Sequence, residues 1–272
     1  MEALAFEAYL DAASEDVERI ASVDPALLGR SVPACPGWTV SDVVSHLAQV
    51  YAGFLERARS AQQGSPGTLV PARVPARAGA RAVGNVSQRG SPDGGLEALE
   101  RLEIAWARLR EQLEALGEHA ACDNFTGKDR HLGWVARRMA HETAVHRFDI
   151  EAATGAPGVI EVELALDGIG ELLEVMLPRG IARALEGSGP HPVPASLGGS
   201  LGLVANDADA AFLVELRDQR LSWRPRRSPA NAVVVGSASE LFLFSWRRVP
   251  LEALALTGER AIAEAWTRLP GV

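Results

Sequence analysis

The sequence predicts two joined folds, an all-helical bundle in the first half and a smaller α+β domain with an antiparallel sheet in the second. Three observations carry this expectation. Apolar residues recur at spacings of three and four through four long segments that end near residue 154. A Gly/Pro cluster, Thr154-Gly155-Ala156-Pro157-Gly158, then interrupts the chain. Past it the pattern turns to short runs with strand character. The expected domains are 1–154 and 155–272.

Residues 4–23 read as the first helix, with Phe6, Leu10, Ala13, Val17 and Ile20 in one stripe and Asp24-Pro25 as the stop. Two prolines and a glycine in Val32-Pro33-Ala34-Cys35-Pro36-Gly37-Trp38 force an extended, turning approach to the next helix. Thr39 and Asp42 resemble a capping box with Asp in place of Glu, so a second helix starts there and runs to about residue 63. Its apolar face carries Val43, His46, Leu47, Val50, Phe54 and Leu55. Residues 64–95 are rich in Gly, Pro, Ala, Arg and Ser without a period and read as a long surface loop. Its Arg73, Arg77, Arg81 and Arg89 are read as solvated rather than as an anion-binding set. A third helix begins at Pro92 or Asp93, is lined by Leu96, Leu99, Leu102, Trp106, Leu109 and Leu113, and stops at Gly117. A fourth amphipathic helix spans 133–154, and connections at alternate ends make the four a bundle. In the second half, 162–184 is helical with a break at Pro178. Strands are expected at 201–205, 211–216, 221–223 and 232–235, and helices at 239–247 and 259–266.

Composition narrows the functions. The hydrophobic share is 47% and the charged share 23%, ordinary for a soluble globular protein. A net charge of −8 argues against a general nucleic-acid or anionic-membrane surface. No apolar run approaches the ~20 residues of a membrane span. The N-terminus carries acids where a signal peptide carries bases. The two cysteines, Cys35 and Cys122, make neither a CxxC nor a zinc-finger spacing, so a reducing cytoplasm is the expected compartment. Glycine-rich dinucleotide and phosphate loops and the G-x-S-x-G elbow are absent.

The fourth helix holds the most informative stretch, His141-Glu142-Thr143-Ala144-Val145-His146-Arg147-Phe148-Asp149. Glu142 and His146 lie one turn apart and project from the same side, beside Val135, Met139 and Asp149. His141 and Arg147 point elsewhere, and His141 reads as structural. A carboxylate and an imidazole on an apolar face are costly to bury unpaired. Either a metal uses both as ligands or they form an interior hydrogen-bonded pair. The two histidines are five apart, so the H-E-x-x-H metalloprotease helix is excluded. His46, on a core-facing stripe, reads by itself as an interior histidine; it is also the early histidine available to complete a site. Cys35 shows no neighbouring activator in the sequence and reads as a buried structural cysteine.

Three stretches together resemble one family. They are Pro33-Ala34-Cys35-Pro36-Gly37-Trp38-Thr39-Val40 with Ser45-His46-Leu47, then His141 through Asp149, then Leu241-Phe242-Leu243-Phe244-Ser245-Trp246-Arg247-Arg248-Val249-Pro250. The chain resembles, over nearly its whole length, the maleylpyruvate isomerase family of mycothiol-dependent enzymes from actinobacteria. The resemblance implies a DinB-like metal-binding four-helix bundle and a sterol-carrier-like α+β domain. It implies a divalent metal, usually zinc, held by His46, Glu142 and His146. Asp149, one turn beyond His146, is placed to accept the second N–H of that ring, or else serves the helix end or a salt bridge. It implies mycothiol as the thiol, acidified at the metal. The thiolate adds to an electron-poor C=C bond of a small electrophile; leaving again gives cis–trans isomerisation, staying gives thiol transfer. Arg248 aligns with a family arginine associated with a carboxylate-bearing substrate, whereas Arg247 stands where the family often has glycine. Two other readings stay open: a small-molecule or interaction module without turnover, and a metal-assisted hydrolase that uses water.

Overall fold

The computed structural model describes residues 3–62, 92–126, 129–187, 193–194 and 196–270. The expected loop arginines 73, 77, 81 and 89 lie outside the described residues. The chain divides into two compact units, Ala5–Gly158 and Val159–Val272 with Met1–Leu4.

The first unit is the helical one. Helix α1, Phe6–Ala21, buries Phe6, Tyr9, Leu10, Ala13, Val17 and Ile20. Helix α2, Val40–Gln62, begins at the expected box: Thr39 N donates to Asp42 Oδ2 at 2.9 Å, and Asp42 N donates to Thr39 Oγ1 at 3.3 Å. Helix α3, Pro92–Leu116, buries the expected stripe except Leu96, which is exposed. It ends at Gly117, whose φ of +76° is the left-handed conformation that glycine adopts without penalty. Helix α4, Leu132–Thr154, is capped at its start by the His131 ring, which accepts from Trp134 N, and at its end by Gly155 at φ +98°. Each of α1 and α2 packs on both α3 and α4, so the four helices close into a bundle.

Helix α4 departs from the amphipathic expectation, because it is buried round nearly its whole circumference. Its polar side chains are tolerated because each meets a partner on a particular side. Thr143 Oγ1 lies 2.6 Å from Tyr51 Oη of α2 and donates to Met139 O at 2.6 Å. Arg147 pairs with Asp16 of α1 and with Glu151, both at 2.6 Å. His141, fully buried, stands edge-on to Tyr9 of α1. The remaining side carries the candidate ligands.

The second unit opens with α5, Val162–Glu171, and α6, Leu177–Leu185. The break between them is a π-helical turn, Leu172–Met176, ahead of the proline that the sequence marked. Pro178 cannot donate and its ring crowds the carbonyl four residues back; widening the preceding turn relieves this. Strands β1 Ser196–Ala205, β2 Ala211–Arg217, β3 Arg220–Arg224, β4 Ala232–Gly236 and β5 Ala255–Gly258 form one sheet in the order β3-β2-β1-β4-β5. The pairings are antiparallel except β1 with β4, which is parallel. The sheet is antiparallel-dominated, as the sequence leads one to expect, with β1–β4 its parallel pairing. Strand β5 was not expected: its Ala-Leu-Thr-Gly is short, largely exposed and weak in strand propensity. Helix α7, Ala238–Ser245, starts at a Ser237/Glu240 capping box, and α8 is Arg260–Trp266. The ring of Phe242 on α7 packs where a Cβ on Gly168 of α5 would lie.

Candidate metal centre

The loop that enters α2 and the middle of α4 build the site. That loop is folded on itself: Val32 N donates to Trp38 O at 2.9 Å, and Cys35 N to Val32 O and Trp38 N to Cys35 O, each at 3.0 Å. Gly37, at φ +84°, supplies the left-handed turn. The turn brings Trp38 against His46, with ring centroids 5.3 Å apart.

His46 projects from the first turns of α2 toward α4. Its Nε2 lies 3.2 Å from Glu142 Oε1, and His146 Nε2 lies 3.6 Å from that same oxygen. The two imidazoles stand nearly perpendicular, centroids 5.1 Å apart. His46, Glu142 and His146 each place one ligand atom within 4.8 Å of the others. Glu142 Oε2 turns the other way, to an ion pair with buried Arg138 one turn earlier on α4. His146 Nδ1 donates to Asp149 Oδ2 at 2.9 Å, and Asp149 is buried.

The donor set fits a divalent ion. Bonds of about 2.0–2.2 Å in a tetrahedron put ligand atoms about 3.3–3.6 Å apart, and the contacts of 3.2 and 3.6 Å at Glu142 Oε1 match that spacing. Chemistry agrees with distance. A neutral His146 that donates Nδ1 to Asp149 turns the lone pair on Nε2 toward a carboxylate oxygen. Two acceptors face each other there unless a proton or a cation lies between them. The same demand shows in the titration of both groups. Burial pulls the His146 imidazole down, but hydrogen bonds with Asp149, Cys35 and Glu142 outweigh it and hold the ring well above its ordinary value. Burial pushes the Glu142 carboxyl up, but Arg138 and the two histidines hold it well below the carboxylate range.

Two neighbours of the site were not singled out in the sequence. Arg138 was legible in principle, since it precedes Glu142 by four residues. Trp38 had no such signal. Cys35 corrects its expectation: it is half-buried, not a core residue, and its Sγ lies 3.6 Å from Asp149 Oδ2. The partners are 114 residues apart, beyond any local pattern.

The family described as the mycothiol maleylpyruvate isomerase N-terminal domain matches residues 10–151, more than half of the chain. The chain belongs to the mycothiol maleylpyruvate isomerase N-terminal domain family. That match to the isomerase N-terminal domain takes in every residue of the site just described. In fold, the chain is similar to a crystal structure of the mycothiol-dependent maleylpyruvate isomerase, at a TM-score of 0.59 and 16% identity, covering 95% of this chain and 97% of that one. A histidine-to-alanine mutant of that isomerase matches with the same TM-score and coverage at 17% identity. A search of curated proteins gives no significant match.

Outside the matched isomerase N-terminal domain, Arg248 belongs to the second compact unit, after α7. Its Nη1 donates to Trp246 O at 2.8 Å. Helix α7 ends at Ser245, short of the expected 247, because Arg247 takes φ +63°. The backbone thus keeps a conformation natural to glycine although an arginine occupies it. Arg247 Nη2 also donates to Leu269 O. Both arginines line an open cleft of about 400 Å³ with Phe244, Pro250, Glu252 and Glu264.

Proposed function

We propose that this chain is a cytoplasmic, metal-dependent enzyme that uses mycothiol to attack an electrophilic small molecule, as a cis–trans isomerase of the maleylpyruvate type or as a thiol transferase. The observation that carries the reading is the convergence of His46, Glu142 and His146 ligand atoms within 4.8 Å, in a chain whose family is named for mycothiol. No helix among the described residues is long and apolar enough to cross a membrane.

His46, Glu142 and His146 would hold the divalent ion, zinc by their donor chemistry. A bound ion of this kind lowers the pKa of a thiol that joins it, so that thiolate is present near neutral pH. The protein's own groups prepare the position. Asp149 keeps the proton of His146 on Nδ1 and leaves Nε2 as the ligand atom. Arg138 occupies Glu142 Oε2, which leaves Oε1 for the histidine side. Trp38 packs edge-to-face against His46 and so helps to fix its ring.

Addition of the thiolate to a conjugated C=C bond leaves a single bond, which rotates before the thiolate departs. Retention of the thiol gives the transferase outcome from the same adduct. Arg248 offers a planar guanidinium for a substrate carboxylate. In this reading residues 1–154 are a DinB-like metal-binding bundle and 155–272 a sterol-carrier-like domain.

The test is turnover of maleylpyruvate, or loss of free mycothiol with an electrophile, in the presence and absence of mycothiol. Activity that needs mycothiol and disappears in His46→Ala supports the reading. Hydrolysis that proceeds without any thiol replaces it with the water-using alternative.

A further inference from the structure

Each candidate ligand is held by a neighbour in its own stretch of chain: His46 by Trp38, Glu142 by Arg138, His146 by Asp149. None of these neighbours sets the distance between the two helices that the site spans. Tyr51 and Thr143 meet across that gap. Tyr51 follows His46 on α2, Thr143 is next to Glu142 on α4, and both are fully buried. Their side-chain oxygens are 2.6 Å apart. The Thr143 hydroxyl has a single proton and donates it to Met139 O at 2.6 Å. Tyr51 is therefore the donor to Thr143 Oγ1, and the direction of both bonds is fixed. Met139 belongs to the turn of α4 just before Glu142, so the phenol is tied to the turn that carries the carboxylate ligand. The other two helices back the Tyr51 ring. Trp106 of α3 packs on it with centroids 5.2 Å apart. Trp106 Nε1 donates to Ser14 Oγ of α1 at 2.9 Å, and Arg110 Nη1 donates to the same oxygen at 2.5 Å. One continuous line of contacts thus runs from α1 through α3 and α2 to Thr143 of α4.

We propose that Tyr51 is a positioning residue of the candidate metal centre: the hydrogen bond it donates to Thr143 holds α2 and α4 at the separation that lets His46 share an ion with Glu142 and His146. This rests on the metal reading of the proposed function. A buried pair of hydroxyls is a weak source of stability, because replacing both partners by apolar groups of the same shape is nearly neutral. What such a pair supplies is distance and direction, since an O–H···O bond works over a narrow range. Apolar packing alone tolerates substitution and loses uniqueness before it loses stability. A site for a small divalent ion needs the tighter constraint, because its ligands must be held within about 0.5 Å of the productive geometry. Glu142 and His146 come from one helix and share its geometry. His46 comes from the other, so its place depends on how α2 sits against α4. The loss of the Tyr51 hydroxyl is felt there.

The test is made on the full chain with Tyr51→Phe, which removes one oxygen and keeps the ring against Trp106. Cobalt(II) is titrated in competition with a chelator, its absorption bands are recorded, and the metal-free proteins are unfolded in urea. Tyr51→Phe is expected to bind cobalt about tenfold more weakly, the low end of the loss that outer contacts of a metal site produce, with shifted bands. Thr143→Val is expected to lose at least as much. The double variant Tyr51→Phe/Thr143→Val is expected to lose no more than Thr143→Val alone, because both changes break one bond. Leu113→Ala supplies the comparison for a purely structural change. It opens a cavity at a fully buried position of α3, and is expected to lower the urea midpoint while leaving cobalt affinity and bands as in the wild type. Unchanged affinity and bands in Tyr51→Phe overturn the proposal and leave the metal reading standing. Additive losses in the double variant, or the same band shift in Leu113→Ala, also overturn it. A wild type that binds no cobalt overturns the metal reading, and the positioning role with it.

Discussion

Asp149 accepts the Nδ1 proton of His146 across 2.9 Å, one helical turn further along α4. This contact selects the tautomer that turns Nε2 toward Glu142, so a residue that touches no ligand position governs one that does. Asp149→Asn leaves a side chain of the same size but removes the charge that favours Nδ1–H. Metal affinity is expected to fall 10–100-fold, on the order seen for such outer contacts. Competition against a chelator measures it, with circular dichroism as the check that the fold is kept.

Arg138 and Glu142 form a second relationship of this kind, and it has a pH signature. The Glu142 carboxyl is depressed, so the stability it contributes is present above its unfolded value near 4.5 and is lost as pH falls through the lower folded value. Arg138→Met removes the counter-charge and leaves a mostly buried carboxylate against two histidines. The metal-free variant is expected to be less stable at pH 7 by about 3 kcal/mol, the usual penalty for breaking a buried pair. Urea unfolding at pH 7 and pH 4 is the measurement, and the gap between variant and wild type is expected to narrow at the lower pH.

Asp16 titrates in the opposite sense. Burial pushes its carboxyl from 3.8 up to about 6, although Arg147 and Arg19 pull it down. A raised folded value means a contribution that is complete below 3.8 and disappears as pH rises through 6. Relative to Asp16→Asn, the wild type is therefore expected to lose on the order of 3 kcal/mol between pH 4 and pH 7. Parallel unfolding curves for the two proteins across that range read this difference directly.

Gly168 tests packing rather than charge. Alanine is the better helix former by about 1 kcal/mol, but its Cβ would meet the buried ring of Phe242. Gly168→Ala is expected to destabilise by about 1–3 kcal/mol. A rise in melting temperature would show that α5 and α7 pack less tightly than their atoms indicate.

The sequence announced these features unevenly, for physical reasons. The pairing of Glu142 with His146 is a local geometric fact, readable from spacing on a helix. His46 became part of a site only through the family resemblance, because helix periodicity assigns a face but not a neighbour. The Thr39–Asp42 box, the ends of α3 and α4 and four of the five strands follow local rules, and local rules are visible in a chain. The parallel pairing of β1 with β4 is not: Ala232 meets Leu201 across the β2–β3 hairpin, and no short window contains both. Cys35 beside Asp149 failed for the same reason. Arg247 is a further case: nothing in an arginine signals the left-handed φ of +63° that it takes.

The most direct measurement of the central claim is the metal content of the purified, chelator-washed and zinc-reloaded chain, taken beside His46→Ala and His146→Ala. The account predicts close to one zinc ion per wild-type chain, and loss of tight binding in each variant with the helical content unchanged. A wild-type chain that retains no zinc, or variants that retain as much as the wild type, would contradict it.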